Sequence, residues 1–420
     1  MYRTAYSLMA NTVLTSLLGL VFWLVAARLY SSNEVGRDSA LVSAMMGISV
    51  VCQLNLNNAL TRFLPVTRRS TARVVVVTYA VTGLLSIVAA IGFVILAPRW
   101  SSQLRFLGKD HVLAAEFCLI LPCWAVFTLQ DSVLTSLRRA PWVAIENTLF
   151  GIIKLAALPV LIIFGVGHGI FVAWTGPVVF IIIAINVLIF RRVVPEHARR
   201  GAVPSSNGDR VARPTLFRFL ALDYLAWALN NGLGYLLPLL VVALLGSRQN
   251  AYFYIAYTIS ATLNMLFLNA TTSLTVEASA AEDQLPELTR RLVGRLLPPL
   301  LVGIVLLAAA APLVLLPFGA AYAHAGAGVL RLFAVASIFR ATVILYSAVA
   351  RVRGRGGRIL VANLSLVALL IVATVVLGDR YGLIGVGIGW LVAHALVALA
   401  VLPSMRGLLR RTSAPAFTTN

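Results

Sequence analysis

The chain has 420 residues, of which 60% are hydrophobic and 11% charged, with a mean hydropathy of +0.93. A soluble globular chain carries about a quarter charged residues, so an ordinary water-soluble protein is excluded and an integral membrane protein is indicated. The formal charge of +20 does not point to nucleic acid, because the 34 basic residues are scattered through short gaps between apolar runs and form no continuous basic groove.

A window of about 19 residues picks out twelve apolar segments of helical length, near residues 7–28, 39–63, 74–97, 112–136, 143–165, 169–190, 219–245, 251–275, 293–317, 328–350, 359–378 and 382–402. Continuous runs of this length are helices; a barrel would show short segments alternating apolar and polar. The predicted fold class is therefore all-α, with about twelve transmembrane helices. A short polar start with Arg3 leads to an apolar stretch from Leu17 to Ala27 without a small-residue cleavage site, so the first segment is expected to be a retained span and not a removed signal.

Arg and Lys are retained on the cytoplasmic side of a membrane protein. With the N-terminus inside, alternate loops and the two ends collect 21 basic residues, among them Arg68, Arg69, Arg138, Arg139, Arg191, Arg192, Arg290, Arg291, Arg353, Arg355 and Arg406, against 7 on the opposite side. Both termini are expected in the cytoplasm, in the cytoplasmic (inner) membrane of a bacterium. The longest polar stretch, 191–218, carries Pro195, Pro204, Pro214 and a Ser-Ser-Asn-Gly run and reads as a cytoplasmic linker. It separates an N-terminal lobe, 1–190, from a C-terminal lobe, 219–402, with a tail at 403–420. The ends of the first and seventh segments share an apolar run, a polar break and a resumed helix at an offset of about 215 residues. Halves with six helices each would be related by a pseudo-two-fold axis along the membrane normal, with a site between them.

Polar groups in hydrocarbon are costly and usually face a bundle interior or a wet cavity. Ser7, Asn11 and Thr15 share one helical face, and Asn55, Asn58 and Arg62 share another. Gln130, Asp131, Glu146, Asn147, Asp223, Asn230 and Asn231 also fall in inner halves, whereas the outer halves of the first, second, fifth and seventh segments are almost wholly apolar or small. This distribution predicts a cavity open to the cytoplasm and lined by Asn11, Asn55, Asn58, Arg62, Lys154, Asn230, Asn231 and Arg340. Lys154 and Arg340 lie near the middle of their helices, where a lone cation costs several kcal/mol. Lys154 is expected either to pair with Glu146 or Asp223, or to join Arg340 and Arg62 in binding an anionic head group such as a pyrophosphate, which guanidinium and ammonium groups suit. Asp223 and Asp131 are candidates for ion coupling. Pro122, Pro159, Pro177 and Pro238 fall inside helices and offer bending points.

Catalytic signatures are missing: there is no GxxxxGK[ST], HExxH or GxSxG, and the longest outer loop, about Pro98 to His111, is too short to build an active site. The five histidines are dispersed and read as structural. Cys52, Cys118 and Cys123 all lie in apolar runs without a CxxC, so neither a disulfide framework nor a metal site is expected, and no cofactor is implied. A carrier fits better than an enzyme.

The N-terminal NTVLTSLLGLVFWLVAARLYSSNEVGRDSALVSAM, the QLNLNNALTRFLP that follows, and the six-plus-six plan together resemble the oligosaccharide (O-antigen type) flippases, within the superfamily that includes the multidrug and toxic compound extrusion carriers and the lipid II flippase. The residue-level likeness runs over about residues 8 to 66. The resemblance implies translocation of a polyprenyl-diphosphate-linked glycan from the cytoplasmic to the outer leaflet by alternating access, with the glycan polymerase or glycosyltransferases of the same pathway as partners. It carries a basic cavity role over to Arg62. The alternative within the superfamily is a multidrug-type, ion-coupled small-molecule antiporter.

Overall fold

The computed structural model describes residues 2–67, 70–199, 224, 228, 232 and 234–410, with the side chains of 2–13, 62, 66, 266, 276, 280 and 410 outside the description. Every regular element among these residues is helical: α1 Tyr2–Leu29, α2 Ser32–Cys52, α3 Leu56–Phe63, α4 Thr71–Trp100, α5 Arg105–Lys109, α6 His111–Ser136, α7 Ala140–Ile163, α8 Gly169–Leu188, α9 Val194–Arg199, α10 Gly234–Leu245, α11 Ser247–Ala280, α12 Leu285–Ala309, α13 Ala311–Leu315, α14 Ala320–Val352 and α15 Gly356–Arg410. Nine of the described helices are long and apolar enough to cross a membrane. One of these, α15, reverses at Gly382, whose φ of 58° and ψ of −139° only glycine adopts easily. Beyond the turn the two arms lie side by side: a Cβ on Gly385 would stand 1.8 Å from the Leu377 carbonyl oxygen, and one on Gly389 would stand 3.0 Å from the Ala373 carbonyl carbon. Counting this hairpin as two spans, and adding the shorter apolar helices Leu14–Leu29 and Gly234–Leu245, accounts for the twelve segments read from the sequence.

Several boundaries differ from the sequence reading: the tenth segment begins at Ala320, and the twelfth continues to Arg410, into the expected tail. The second segment is broken in two, because Leu54 and Asn55 take left-handed φ values of 47° and 59°, which Asn tolerates through its short polar side chain. Asn55 therefore caps α3 instead of continuing α2. The sixth segment does not end at 190: after Leu188 a π-turn over Ile189–Val193 leads into α9, so helix persists to Arg199. The ninth is interrupted at Ala310, and Pro312 and Pro317 stand in the short helical turns that follow.

The chain divides into two compact units, Met1–Arg213 with Asn231–Ala251, and Pro214–Asn230 with Tyr252–Asn420. In the first unit α1 packs on α7, α4 on α6, and α7 on α8, while α2 and α3 cover α6. In the second, α14 packs against α15, α12 and α13. Helix α4 shows how lipid as solvent inverts the usual pattern. Its buried positions include Thr78, Thr82, Ser86 and Ala90, whereas Val76, Val77, Leu84, Val88, Ile91 and Ile95 are exposed. Small and weakly polar residues permit close helix approach, and the large apolar ones face the acyl chains.

Local structure repeats between the two halves of the chain at one constant offset. Helix ends correspond as Leu29 to Leu245, Ser136 to Val352, and Ala140 to Gly356. The turn after α6 places Arg138 at φ 61° and the turn after α14 places Gly354 at φ 64°. The same four backbone bonds close both turns, including Arg139 N–H to Leu134 O at 2.7 Å and Arg355 N–H to Ala350 O at 2.8 Å.

The first turn of α11 lies against the start of α2. Asn250, fully buried, donates to Gly36 O at 2.7 Å and to Ser39 Oγ at 3.1 Å. A Cβ on Gly36 would sit 1.6 Å from the Ser247 carbonyl oxygen, so no other residue fits without moving backbone. Overpacking of this kind costs about 1–3 kcal/mol. Gly36→Ala is expected to lower the melting temperature of the detergent-solubilised protein by several degrees, whereas Gly83→Ala, whose added methyl would meet nothing within 4 Å, leaves it unchanged; equal melting temperatures for both would contradict the close seam.

Candidate functional site

Four groups of ionisable side chains lie inside the units, three in the first and one in the second. Midway along α7, Lys154 is buried, and its ammonium stands 3.4 Å from the ring centre of Trp174 on α8, 4.7 Å from Phe150 on α7 and 5.1 Å from Phe22 on α1. Phe150 lies one turn before Lys154, hence on the same helix face. The rings belong to a continuous cluster that also includes Trp23, Trp124 and Phe127. Among the described residues no carboxylate lies within ion-pair distance of Lys154, so the pairing with Glu146 allowed by the sequence is not made. The aromatic faces supply part of the missing stabilisation, about 2 kcal/mol for a desolvated cation.

About 12 Å further toward the start of α7, at 1.5 Å per residue, Glu146 is 1% exposed, and neither of its carboxyl oxygens has a hydrogen-bond partner. Next to it Asn147 Nδ2 reaches both carboxyl oxygens of Asp131 on α6 at 3.3 Å. Sequence reasoning singled out Asp131, but it treated Glu146 only as a partner for Lys154.

A third group, at the other end of the first unit, went unrecognised in the sequence because its members are far apart along the chain. Asp38 on α2, fully buried, lies 3.1 Å from His168 Nδ1 and accepts the Phe171 backbone N–H at 3.2 Å, so it caps the start of α8. Arg37 Nε reaches the same carboxylate at 3.3 Å. His168 Nε2 faces Asp110 at 3.8 Å, and its ring stacks on Phe106. Asp110 caps α6, and the Leu113 N–H, reinforced by His168, the Val112 N–H and Arg37, holds its carboxyl below the usual range. The signal available was the pair of acids at helix starts, Asp38 and Asp110, combined with a histidine at another.

In the second unit Arg340 on α14 lies with its guanidinium carbon 5.7 Å from the ring centre of Trp390 on α15. Trp390 also contacts Tyr257, Phe333 and the buried His394. Trp174 and Trp390 are related by the offset that relates the helix ends, so they occupy matching positions, and each carries the mid-span cation of its unit. Arg331, by contrast, is exposed and donates to the Ala308 carbonyl at 3.1 Å.

The other expected cavity residues are distributed as follows. Asn55 Oδ1 accepts from Asn58 Nδ2 at 2.7 Å; Asn55 is buried and Asn58 exposed. Asn11 and Arg62 fall on α1 and α3, with side chains outside the description. Asp223, Asn230 and Asn231 lie outside the described residues. Among the described residues no group of three or more His, Cys, Asp or Glu is arranged to hold a metal ion.

No protein-family model matches the chain, and no curated relative matches it. Solved structures of similar fold do. The inward-closed lipid II flippase MurJ aligns with a TM-score of 0.70 at 12% identity, covering 95% of this chain and 87% of that one. A multidrug resistance MATE family transporter of the MOP superfamily, inward-facing, aligns at 0.68 and 16% identity over 95% and 96%. A MOP superfamily transporter from Pyrococcus furiosus, described as having a binding pocket of reverse polarity, aligns at 0.61 and 17% identity over 98% and 96%. The all-helical membrane fold of these transporters is therefore the fold of this chain.

A buried cation held only by aromatic rings is costly, and replacing buried charge by apolar volume is often neutral or stabilising by about 1–4 kcal/mol. Lys154→Met is expected to raise or preserve thermal stability, while Trp174→Ala lowers it by about 3–5 kcal/mol. A marked loss of stability in Lys154→Met would mean that the ammonium is paired after all.

Proposed function

We propose that the protein is a membrane carrier that moves a polyprenyl-diphosphate-linked oligosaccharide from the cytoplasmic to the outer leaflet during polysaccharide assembly, in a bacterial cytoplasmic membrane with both termini inside. The observation that carries this reading is the pair of mid-span cations, Lys154 and Arg340, each set on a tryptophan ring and neither within ion-pair distance of a carboxylate among the described residues. A diphosphate is the anion such groups suit, and a guanidinium binds it through paired donors. The likeness of residues 8–66 to oligosaccharide flippases and the shared fold with a lipid II flippase support the same cargo class. On this reading the halves 1–190 and 219–402 alternate about the linker, Arg62, Asn11, Asn55, Asn58, Asn230 and Asn231 line the cytoplasmic approach, and Asp223 and Asp131 serve ion coupling. Glycan polymerase or glycosyltransferases act before and after transport.

A second reading, an ion-coupled multidrug antiporter, is favoured by the neighbouring carboxyls Glu146 and Asp131 and by the multidrug transporters of the same fold. The two separate in vivo. Cells lacking the gene should accumulate a lipid-linked glycan inside, and Arg340→Ala or Lys154→Ala, expressed at wild-type levels, should restore export at least tenfold less well than wild type. Sensitivity to organic cations without glycan accumulation would establish the antiporter instead.

Orientation has its own check. Reporter fusions after Arg69, Arg213 and Arg355 should all report cytoplasm; an external signal at any one of them overturns the proposed topology.

A further inference from the structure

The carboxyls of the first unit remain unexplained by an anionic cargo. Glu146 and Asp131 lie on adjoining helices at one height: six residues into α7 and five residues before the end of α6, each about 8–9 Å from the helix end at 1.5 Å per residue. They stand within each other's electrostatic reach. A third group points to what they hold. Tyr79 on α4, about 12 Å from the start of its helix at 1.5 Å per residue, has a fully buried hydroxyl without a hydrogen-bond partner, and it lies within electrostatic range of both carboxyls. Glu146 is 1% exposed with both oxygens unpartnered. An ionised carboxylate with no donor and no counter-charge is not sustained in such a site, since burying it costs several kcal/mol or more.

Among the described side chains, charges on the neighbouring elements do not compensate. Lys154 is two turns further along α7, enclosed by its own aromatic rings. The described part of α1 from Leu14 to Ala27 and the whole of α8 have no ionisable side chain, and Arg73 on α4 is exposed near the helix start. Glu116 lies near the opposite end of α6, where it accepts from Thr175 Oγ1 at 3.0 Å. Asn147 is committed to Asp131. In the second half the positions equivalent to Asp131, Glu146 and Asn147 are Ser347, Ala362 and Asn363, so the acids belong to the first unit alone. Too few described ligands converge to hold a metal ion.

We infer that Glu146, with Asp131 and Tyr79, is a proton-binding site, and that its loading and unloading couple a proton to the carrier's cycle. Asp131, the less buried of the two carboxyls, passes the proton to a Glu146 oxygen; Glu146 changes from carboxylate to carboxylic acid, and nothing else is bonded or broken. The Asn147 amide holds the Asp131 carboxyl, and the Tyr79 hydroxyl, which has no partner, is left free for the acid in its loaded form. The coupling rests on the carrier reading, whichever cargo is moved, whereas proton occupancy of the protein itself does not depend on any cargo.

Infrared difference spectra of the full chain in lipid nanodiscs, recorded between acid and alkaline pH without any cargo, test it. The expected result is a protonated-carboxyl band that shifts in D2O and is lost in Glu146→Gln, whose neutral amide preserves the fold and the melting temperature. Tyr79→Phe and Asp131→Asn should each shift that band, and these variants carry the test if Glu146→Gln does not fold. A band retained in Glu146→Gln, or unmoved in both other variants, overturns the inference. So does a band insensitive to pH but displaced by Na+ at constant pH, which would make the site one for a metal cation.

Discussion

Hydrocarbon outside the bundle is the constraint from which the rest of this structure follows. No water is available there to pair a polar group, so the backbone must be helical and side-chain polarity must turn inward. Helix α4 displays the consequence along its length, with threonine, serine and alanine on the packed side and valine, leucine and isoleucine facing lipid. The same constraint makes each buried charge informative. Lys154 on its aromatic rings and Glu146 without any donor are both expensive, and neither offsets the other. An ionisable residue inside the membrane is by default a candidate functional site.

The recurrence of local structure between the halves gives a scaffold on which chemistry has diverged. Helix ends and the turns at Arg138 and Gly354 correspond, and tryptophan recurs at Trp174 and Trp390. What surrounds the tryptophans differs. The first unit sets a lysine there from α7 and adds carboxyls below it, whereas the second sets Arg340 from α14, in the position equivalent to Trp124, and adds His394. The spans described in the second unit have basic groups and no counterpart of Glu146 or Asp131. Both units keep a cation on a tryptophan, and the carboxyls Asp131 and Glu146 are the part without an equivalent in the second.

The spans were readable from hydropathy because a bilayer imposes one length on every crossing element. Their ends were less readable. A window average passes over Leu54 and Asn55, since a left-handed pair costs nothing in hydropathy, and it likewise passes over the π-turn after Leu188. Lys154 and Arg340 were legible as costly mid-span cations, because a charge in an apolar run needs no neighbour to be noticed. Their tryptophans were not, because rings are common in apolar helices and only the packing of α8 and α15 brings these two forward. The pairing of Asp38 with His168, distant in the chain and adjacent in space, required the fold itself. So did the isolation of Glu146, which the helix spacing alone offered as a partner for Lys154.

Whether the cargo is a diphosphate-linked glycan is decided most directly with the purified full-length chain in proteoliposomes containing a labelled polyprenyl-diphosphate oligosaccharide, scored by its accessibility to an enzyme that modifies the sugar from outside. The account predicts protein-dependent exposure of the inner pool, unaffected by lipophilic organic cations. An inner pool that stays inaccessible while the same vesicles extrude an organic cation would contradict it.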